Sequence, residues 1–230
     1  MSLKKYAVIL AGGEGRRMGA GIPKQFLDLC GKPILRHTVE RFLEYDPSIG
    51  IITVLPTPHK EMWKNYCAET GFLERYIMPS GGLTRFHSVQ NALERVPDGA
   101  LVAVHDGVRP FISTDLIDSL FRKAEESGAA VPVIPVVDSL RMLSQDGYSQ
   151  AVDRSSFVAV QTPQVFRSEI LKAAYAQPFR PSFTDDASVV ESFGKKISLC
   201  EGRRENIKIT TPEDLILAGE LFPRFHRENP

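Results

Sequence analysis

Apolar and polar positions along this chain switch repeatedly between a strand-like run and a helical spacing, and the switching predicts an α/β fold. Residues 6–10 (YAVIL) form a continuous apolar run stopped by Ala-Gly-Gly, the pattern of a strand buried on both faces of a parallel sheet. A brief apolar stretch at 26–29 and a Gly31-Lys32 turn follow. Pro33 is then placed as the first residue of a helix whose apolar positions Ile34, Leu35, Val39 and Phe42 carry it to Tyr45. The pattern next predicts a strand at 49–55, a helix at 60–70, a short strand at 76–78 and an amphipathic helix at 84–96. A strongly apolar strand at 100–104 (ALVAV) runs into His105-Asp106-Gly107-Val108-Arg109-Pro110.

Ser113 or Thr114 can cap a helix to Ser127, Gly128 closes it, and 129–137 is a β-branched strand. Beyond it the pattern changes. Residues 137–160 hold no clear helix, and the short alternating runs around Gln145-Asp146-Gly147-Tyr148 predict a hairpin turning at Asp-Gly. A helix at 166–177, a helix capped by Thr184-Asp185-Asp186 and ending at Phe193, and strands at 197–200 and 207–209 complete the pattern. Thr211-Pro212-Glu213-Asp214 opens a last helix with a cap, an early proline and first-turn acids that complement the helix dipole. The expected architecture is one Rossmann-like, three-layer α/β domain over 1–230, with a mostly parallel sheet and a protruding β-arm at about 137–160.

Composition narrows the chemistry. With 28 Lys and Arg against 28 Asp and Glu, the formal net charge is +0, and the sequence carries no long basic run for nucleic acid or a membrane surface. The three cysteines, Cys30, Cys67 and Cys200, form no C-x-x-C pair, which argues against a disulfide framework or a zinc site. Neither a signal-peptide core nor an apolar run of about 18 residues is present, so a soluble, cytoplasmic protein is expected.

The candidate chemistry is concentrated at 10–24, LAGGEGRRMGAGIPK. Gly12, Gly13 and Gly15 let backbone N–H groups approach an anion closely, and Arg16, Arg17 and Lys24 add positive charge directly after the first strand. That arrangement suits a polyphosphate undergoing phosphoryl or nucleotidyl transfer. A Walker A loop is excluded because no glycine precedes Lys-Ser or Lys-Thr, and a dinucleotide fingerprint counted from Gly13 meets Met18 at its third glycine. Pro79-Ser80-Gly81-Gly82 makes a second Gly-rich turn at a strand end.

LAGGEGRRMG followed by PKQF resembles the opening signature of the nucleotidyltransferase superfamily. Four later stretches narrow it: GGLTRFHSV (81–89), VHDGVRPF (104–111), AVDRSSFVAVQTPQVF (151–166), and FTDDAS with ENIKITTPEDL. Together they resemble the 2-C-methyl-D-erythritol 4-phosphate cytidylyltransferases of the non-mevalonate isoprenoid pathway. The resemblance implies attack of a polyol phosphate on the α-phosphorus of CTP, with pyrophosphate leaving beside Mg²⁺ or another divalent ion. It implies Arg17, Lys24 and Lys208 as catalytic cations, and Ala11, Gly12, Gly13, Gly15, Gly82, Ser88 and Asp106 around the nucleotide, Asp106 also as metal ligand. Arg109, Ser139, Arg154, Thr162 and Thr184, with Lys208, would bind the acceptor. Ser139 and Arg154 would do so from an arm that crosses to the second subunit of a homodimer. HD-x-VRPF is also similar to ribitol-5-phosphate cytidylyltransferases, which leaves that acceptor as the alternative. A non-catalytic nucleotide-binding protein is the alternative of another class. The chain departs from the usual pattern with Leu83 at a commonly acidic position, Gly107-Val108 for Ala-Ala, and Ser139 and Arg141 for Thr and Lys.

Overall fold

The computed structural model describes residues 3–13, 22–72 and 77–229. The expectations placed on Gly15, Arg16 and Arg17 lie outside the described residues, as does most of the segment that leads into the strand expected at 76–78. The first strand, β1 (Lys4–Leu10), is followed by a 3-10 turn (Lys24–Phe26) and a small hairpin of β2 (Asp28–Leu29) and β3 (Lys32–Pro33). Next come α1 (Ile34–Tyr45), β4 (Gly50–Val54), α2 (Thr57–Thr70), α3 (Arg85–Leu93), β5 (Ala100–Asp106), α4 (Thr114–Ser127) and β6 (Ala129–Pro135). The chain then forms β7 (Arg141–Leu143), β8 (Ser149–Ala151), β9 (Val158–Val160), β10 (Gln164–Arg167), α5 (Ser168–Tyr175), α6 (Asp186–Ser192), β11 (Ser198–Glu201) and α7 (Pro212–Glu228).

Among the described residues the main sheet has the order β11-β6-β10-β5-β1-β4, with β9 added on β6. β1 pairs in parallel with both β4 and β5, and β6 with β11, whereas β10 runs antiparallel between β5 and β6. β1 alternates its side chains between two cores, as a pleated strand must. Ala7 and Ile9 share one core with Leu35, Val39 and Phe42 of α1, Trp63 of α2 and Leu120 of α4, while Val8 shares the other with Phe86 and Val89 of α3 and Leu171 of α5. These are the two helical layers around the sheet, in a mixed α/β architecture. A third cluster seats α7 through Ala218 and Phe225 against Ile34, Phe111 and Ile209.

Most elements lie where the pattern places them. Ser113 caps α4 through the Leu116 N–H, and Gly128 at φ 87° ends it in the left-handed conformation glycine tolerates. The hairpin at Asp146-Gly147 forms between β7 and β8. Four expectations need correction. Pro33 precedes α1 rather than opening it, its backbone being extended at ψ 142°. Ile77 and Ser80 make only isolated bridges to Ile52 and Leu55. Residues 207–209 form no strand, although Ile209 N–H donates to the Val108 carbonyl at 3.0 Å. Phe166 belongs to β10, not to the helix after it. Val165 and Phe166 are both fully buried, one on each face, and a short apolar run beside a helix fits either element until a sheet partner decides. No helix among the described residues is long and apolar enough to cross a membrane.

Candidate active site

The parallel register aligns the carboxyl ends of three strands, with Leu10 of β1 opposite both Val54 of β4 and Asp106 of β5. Open α/β sheets bind ligands at this edge, where strand order changes direction. A cleft of about 330 Å³ lies there. Its walls come from the loop after β1, the turn carrying Lys24, the 82–88 segment, Asp106 and Lys208.

Local hydrogen bonds hold each wall. Gln25, almost fully buried, donates from Nε2 to the Ala11 carbonyl at 2.8 Å, which ties the turn bearing Lys24 to the end of β1. At the second wall Thr84 caps α3, the Ser88 hydroxyl donates to the Thr84 carbonyl at 3.0 Å, and it accepts the Gly82 N–H at 3.0 Å. The Ser88 proton is therefore committed to the loop, and what it offers a ligand is acceptor capacity. A side chain at Gly82 would place its Cβ 2.4 Å from the His87 Cβ, so only glycine allows this close approach.

The floor is charged. Asp106 Oδ2 lies 3.1 Å from both Arg109 Nε and Lys208 Nζ. Burial alone would push this carboxyl up, but Lys208, Arg85 and Arg109 outweigh burial and hold it well below the usual carboxylate range. Behind it, the Asp106 N–H donates to Thr162 Oγ1 at 3.1 Å, and Thr162 Oγ1 lies 3.0 Å from His105 Nδ1. His105 Nε2 is 3.1 Å from the Arg109 carbonyl, which can only accept, so Nε2 carries the hydrogen and Nδ1 accepts from Thr162. Burial pushes the fully enclosed His105 imidazole down to about 4, keeping it neutral in this role at neutral pH. Arg109 also donates to the Asn206 carbonyl at 2.8 Å, and Asn206 Nδ2 donates to the Thr162 carbonyl at 2.8 Å, which fixes the loop that presents Lys208.

Of the residues expected from the sequence, Ala11, Gly12, Gly13, Lys24, Gly82, Ser88, Asp106 and Lys208 line this one cleft. Arg109 and Thr162 lie beneath it, bonded to Asp106. Thr184 is exposed, just before the cap of α6. Ser139 and Arg154 are exposed on the arm, where Arg154 donates to the Val137 carbonyl. Sequence reasoning missed Gln25, Arg85, Asn206 and Asp186. All four stand inside motifs already singled out, but polar residues of this kind show their value only once their partners are placed.

An α/β sheet that gathers a glycine-bearing loop, two lysines and a buried carboxylate at its carboxyl edge defines an enzyme of the nucleotidyltransferase class. The family model for IspD, 2-C-methyl-D-erythritol 4-phosphate cytidylyltransferase, matches residues 6–223. The chain is 50% identical over 220 residues to the 2-C-methyl-D-erythritol 4-phosphate cytidylyltransferase of Bacteroides thetaiotaomicron, covering 96% of this chain and 100% of the relative. It is 52% identical to the protein of that name from Porphyromonas gingivalis, covering 96% and 99%. Among solved structures, that of the Thermus thermophilus 2-C-methyl-D-erythritol 4-phosphate cytidylyltransferase superposes with TM-score 0.75 at 33% identity, over 95% of this chain and 98% of the other. That of the Anaerococcus prevotii 4-diphosphocytidyl-2C-methyl-D-erythritol synthase gives 0.82 at 27% identity, over 96% and 97%. The chain belongs to the 2-C-methyl-D-erythritol 4-phosphate cytidylyltransferase family.

Proposed function

We propose that this enzyme transfers a cytidylyl group from CTP to 2-C-methyl-D-erythritol 4-phosphate, giving 4-diphosphocytidyl-2-C-methyl-D-erythritol and pyrophosphate in the non-mevalonate route to isoprenoid precursors. The observation that carries the reading is the convergence of Lys24, Lys208 and the ionised Asp106 on one cleft beside the Gly82–Ser88 turn, in a chain of this family. An acceptor phosphate oxygen forms the new bond to the α-phosphorus, and the α–β bridging bond breaks in line with pyrophosphate as leaving group. A phosphate monoester is already anionic at neutral pH, so no protein nucleophile is needed and the protein's work is positioning and charge neutralisation. Lys24, with Arg17, holds the leaving phosphates, and Lys208 holds the phosphates at the reacting centre. Gly12, Gly13 and Gly15 offer backbone donors, while Ala11, Gly12, Gly82 and Ser88 read the base, Ala11 without its N–H, which is donated to the Val54 carbonyl at 2.9 Å. Arg109, Thr162 and Thr184 build the acceptor side.

A divalent ion suits this donor set. Among the described residues no group of three or more His, Cys, Asp and Glu could cage a metal, but Mg²⁺ is ordinarily held by one or two carboxylates together with substrate phosphates and water. Asp106 meets that need: its Oδ2 takes both Arg109 and Lys208, leaving Oδ1 as a hard oxygen on a residue of the cleft. Bound there, Mg²⁺ would neutralise charge on the phosphates during transfer.

The reading includes a cytoplasmic homodimer, and the arm supports the dimer. Met142, Leu143, Tyr148, Phe157 and Val158 are large apolar side chains left exposed along it, a surface that a second copy of the chain would cover. In that dimer Ser139 and Arg154 serve the neighbouring cleft. Pyrophosphate release measured with CTP, Mg²⁺ and 2-C-methyl-D-erythritol 4-phosphate, with ribitol 5-phosphate in parallel, tests the reaction. Turnover with the first acceptor is expected; preference for ribitol 5-phosphate, or no turnover with either, overturns it.

A further inference from the structure

Arg85, at the first turn of α3, lines the cleft and helps keep Asp106 ionised, but none of the substrate contacts assigned above uses it. Its guanidinium is held end-on by a carboxylate from another element, with Nη1 2.8 Å from Asp186 Oδ1 and Nη2 2.6 Å from Asp186 Oδ2. Asp186 is fully buried, and its Oδ1 also accepts the Tyr175 hydroxyl at 2.6 Å. Three elements thus fix one side chain: α3 supplies it, α6 clamps it and α5 steadies the clamp. Aromatic packing stiffens the same junction, Phe86 stacking on Tyr175 with ring centroids 4.6 Å apart.

An end-on pair spends one N–H of each terminal nitrogen and leaves the Nε–H and the outer N–H groups. Among the described residues none of these has an acceptor, since the hydrogen bonds of Arg85 are those to Asp186 alone. A planar, permanently charged donor set, locked in rotamer and exposed over about a third of its side chain in a cleft with Lys24 and Lys208, matches the geometry of a phosphate group. We propose that Arg85 is a substrate-binding residue that donates to a phosphate oxygen, and that Asp186 and Tyr175 are the positioning residues that aim it. The Arg85–Asp186 pair joins the helix behind the Gly82–Ser88 turn to the helix behind Thr184, so the same clamp sets the spacing of the nucleotide and acceptor walls. This rests on the proposed reaction for the identity of its two phosphate sources, the nucleotide triphosphate and the acceptor monophosphate.

The test measures binding separately from turnover. The double variant Arg85→Gln/Asp186→Asn removes both charges, so no buried carboxylate is left unpaired. Arg85→Lys keeps the charge but not the fork. Dissociation constants for CTP with Mg²⁺ and for 2-C-methyl-D-erythritol 4-phosphate are measured by calorimetry, beside thermal unfolding and KM and kcat. The double variant is expected to unfold cooperatively close to the parent while one of the two constants rises about tenfold or more, with Arg85→Lys falling between. A rise for CTP assigns the oxygen to the nucleotide; a rise for the acceptor assigns it there. Both constants within about twofold of the parent in the folded double variant overturn the proposal. Should that variant not fold, unchanged constants in Arg85→Lys overturn it. A parent protein that binds both ligands yet transfers nothing defeats the reaction and leaves the Arg85 result readable; one that binds neither ligand defeats both.

Discussion

Lys208 Nζ lies 3.1 Å from Asp106 Oδ2, which places a cation from the loop before α7 on the carboxylate that ends β5. The pair makes the cleft floor electrostatically self-contained before any substrate arrives. Asp106 stays ionised although it is buried, and Lys208 is held at the site rather than left to wander in solvent.

Lys24 lines the same cleft, its Cε 3.3 Å from the position a Cβ on Gly13 would take. Lys24→Ala is expected to lower kcat by about 10²- to 10³-fold, the scale of losing one transition-state donor, with little change in the thermal midpoint. Steady-state kinetics beside calorimetric unfolding checks it. Parallel loss of activity and folded protein would falsify the catalytic role.

Gly82→Ala must push its new Cβ into His87, whose backbone carbon lies 2.9 Å away. The α3 end of the loop then shifts, and Ser88 loses its register with the Gly82 N–H. The KM for CTP should rise about tenfold, or ~1.4 kcal/mol, while the acceptor KM moves less. Equal changes in both KM values would show that the turn does not belong to the nucleotide side.

Arg154→Ala should raise the acceptor KM. If Arg154 serves the neighbouring cleft, mixing this variant with Lys24→Ala rebuilds an intact site in each mixed dimer, recovering about a quarter of parental activity on random pairing. Mixed dimers verified by mass spectrometry that recover nothing would argue for an arm acting on its own subunit.

His37 titrates away from the cleft. Its Nε2 donates to the Leu29 carbonyl at 2.6 Å, and burial lowers its pKa below the ordinary 6.5, outweighing the Leu29 bond and Glu40, while Lys32 and His226 add to the lowering. A histidine whose folded pKa is depressed contributes stability that is present above the unfolded value and is lost as pH falls through the folded one. Stability should therefore decline as pH drops below about 6.5, and His37→Gln should show a shallower decline between pH 7 and 5 despite lower stability at pH 7. Urea midpoints across that range decide it; parallel declines would remove His37 as a cause.

The elements were legible wherever their periodicity was long enough to be unambiguous. β1, α1, β5 and α4 follow directly from apolar spacing and caps, because helix and strand periods differ and a run of several residues separates them. β10 was not legible, since four residues beside a helix satisfy both periods and only β5 and β6 on either side make the strand. The candidate site divides the same way. The Gly-rich loop, Lys24, Asp106 and Lys208 stand out by residue type and motif. The Thr162–His105 and Asp186–Arg85 contacts do not, because the value of a buried hydroxyl or carboxylate is set by the atoms it meets.

By itself, then, the sequence determined the α/β class, the phosphate-handling chemistry and the family, all of which depend on local spacing and residue type. Only the tertiary structure decided which cations share Asp106, which hydroxyl protons are already committed and which guanidinium still has donors to offer. Hydrogen bonds and ion pairs act over a few ångströms, and proximity at that scale between residues far apart in the chain exists only after the sheet has folded.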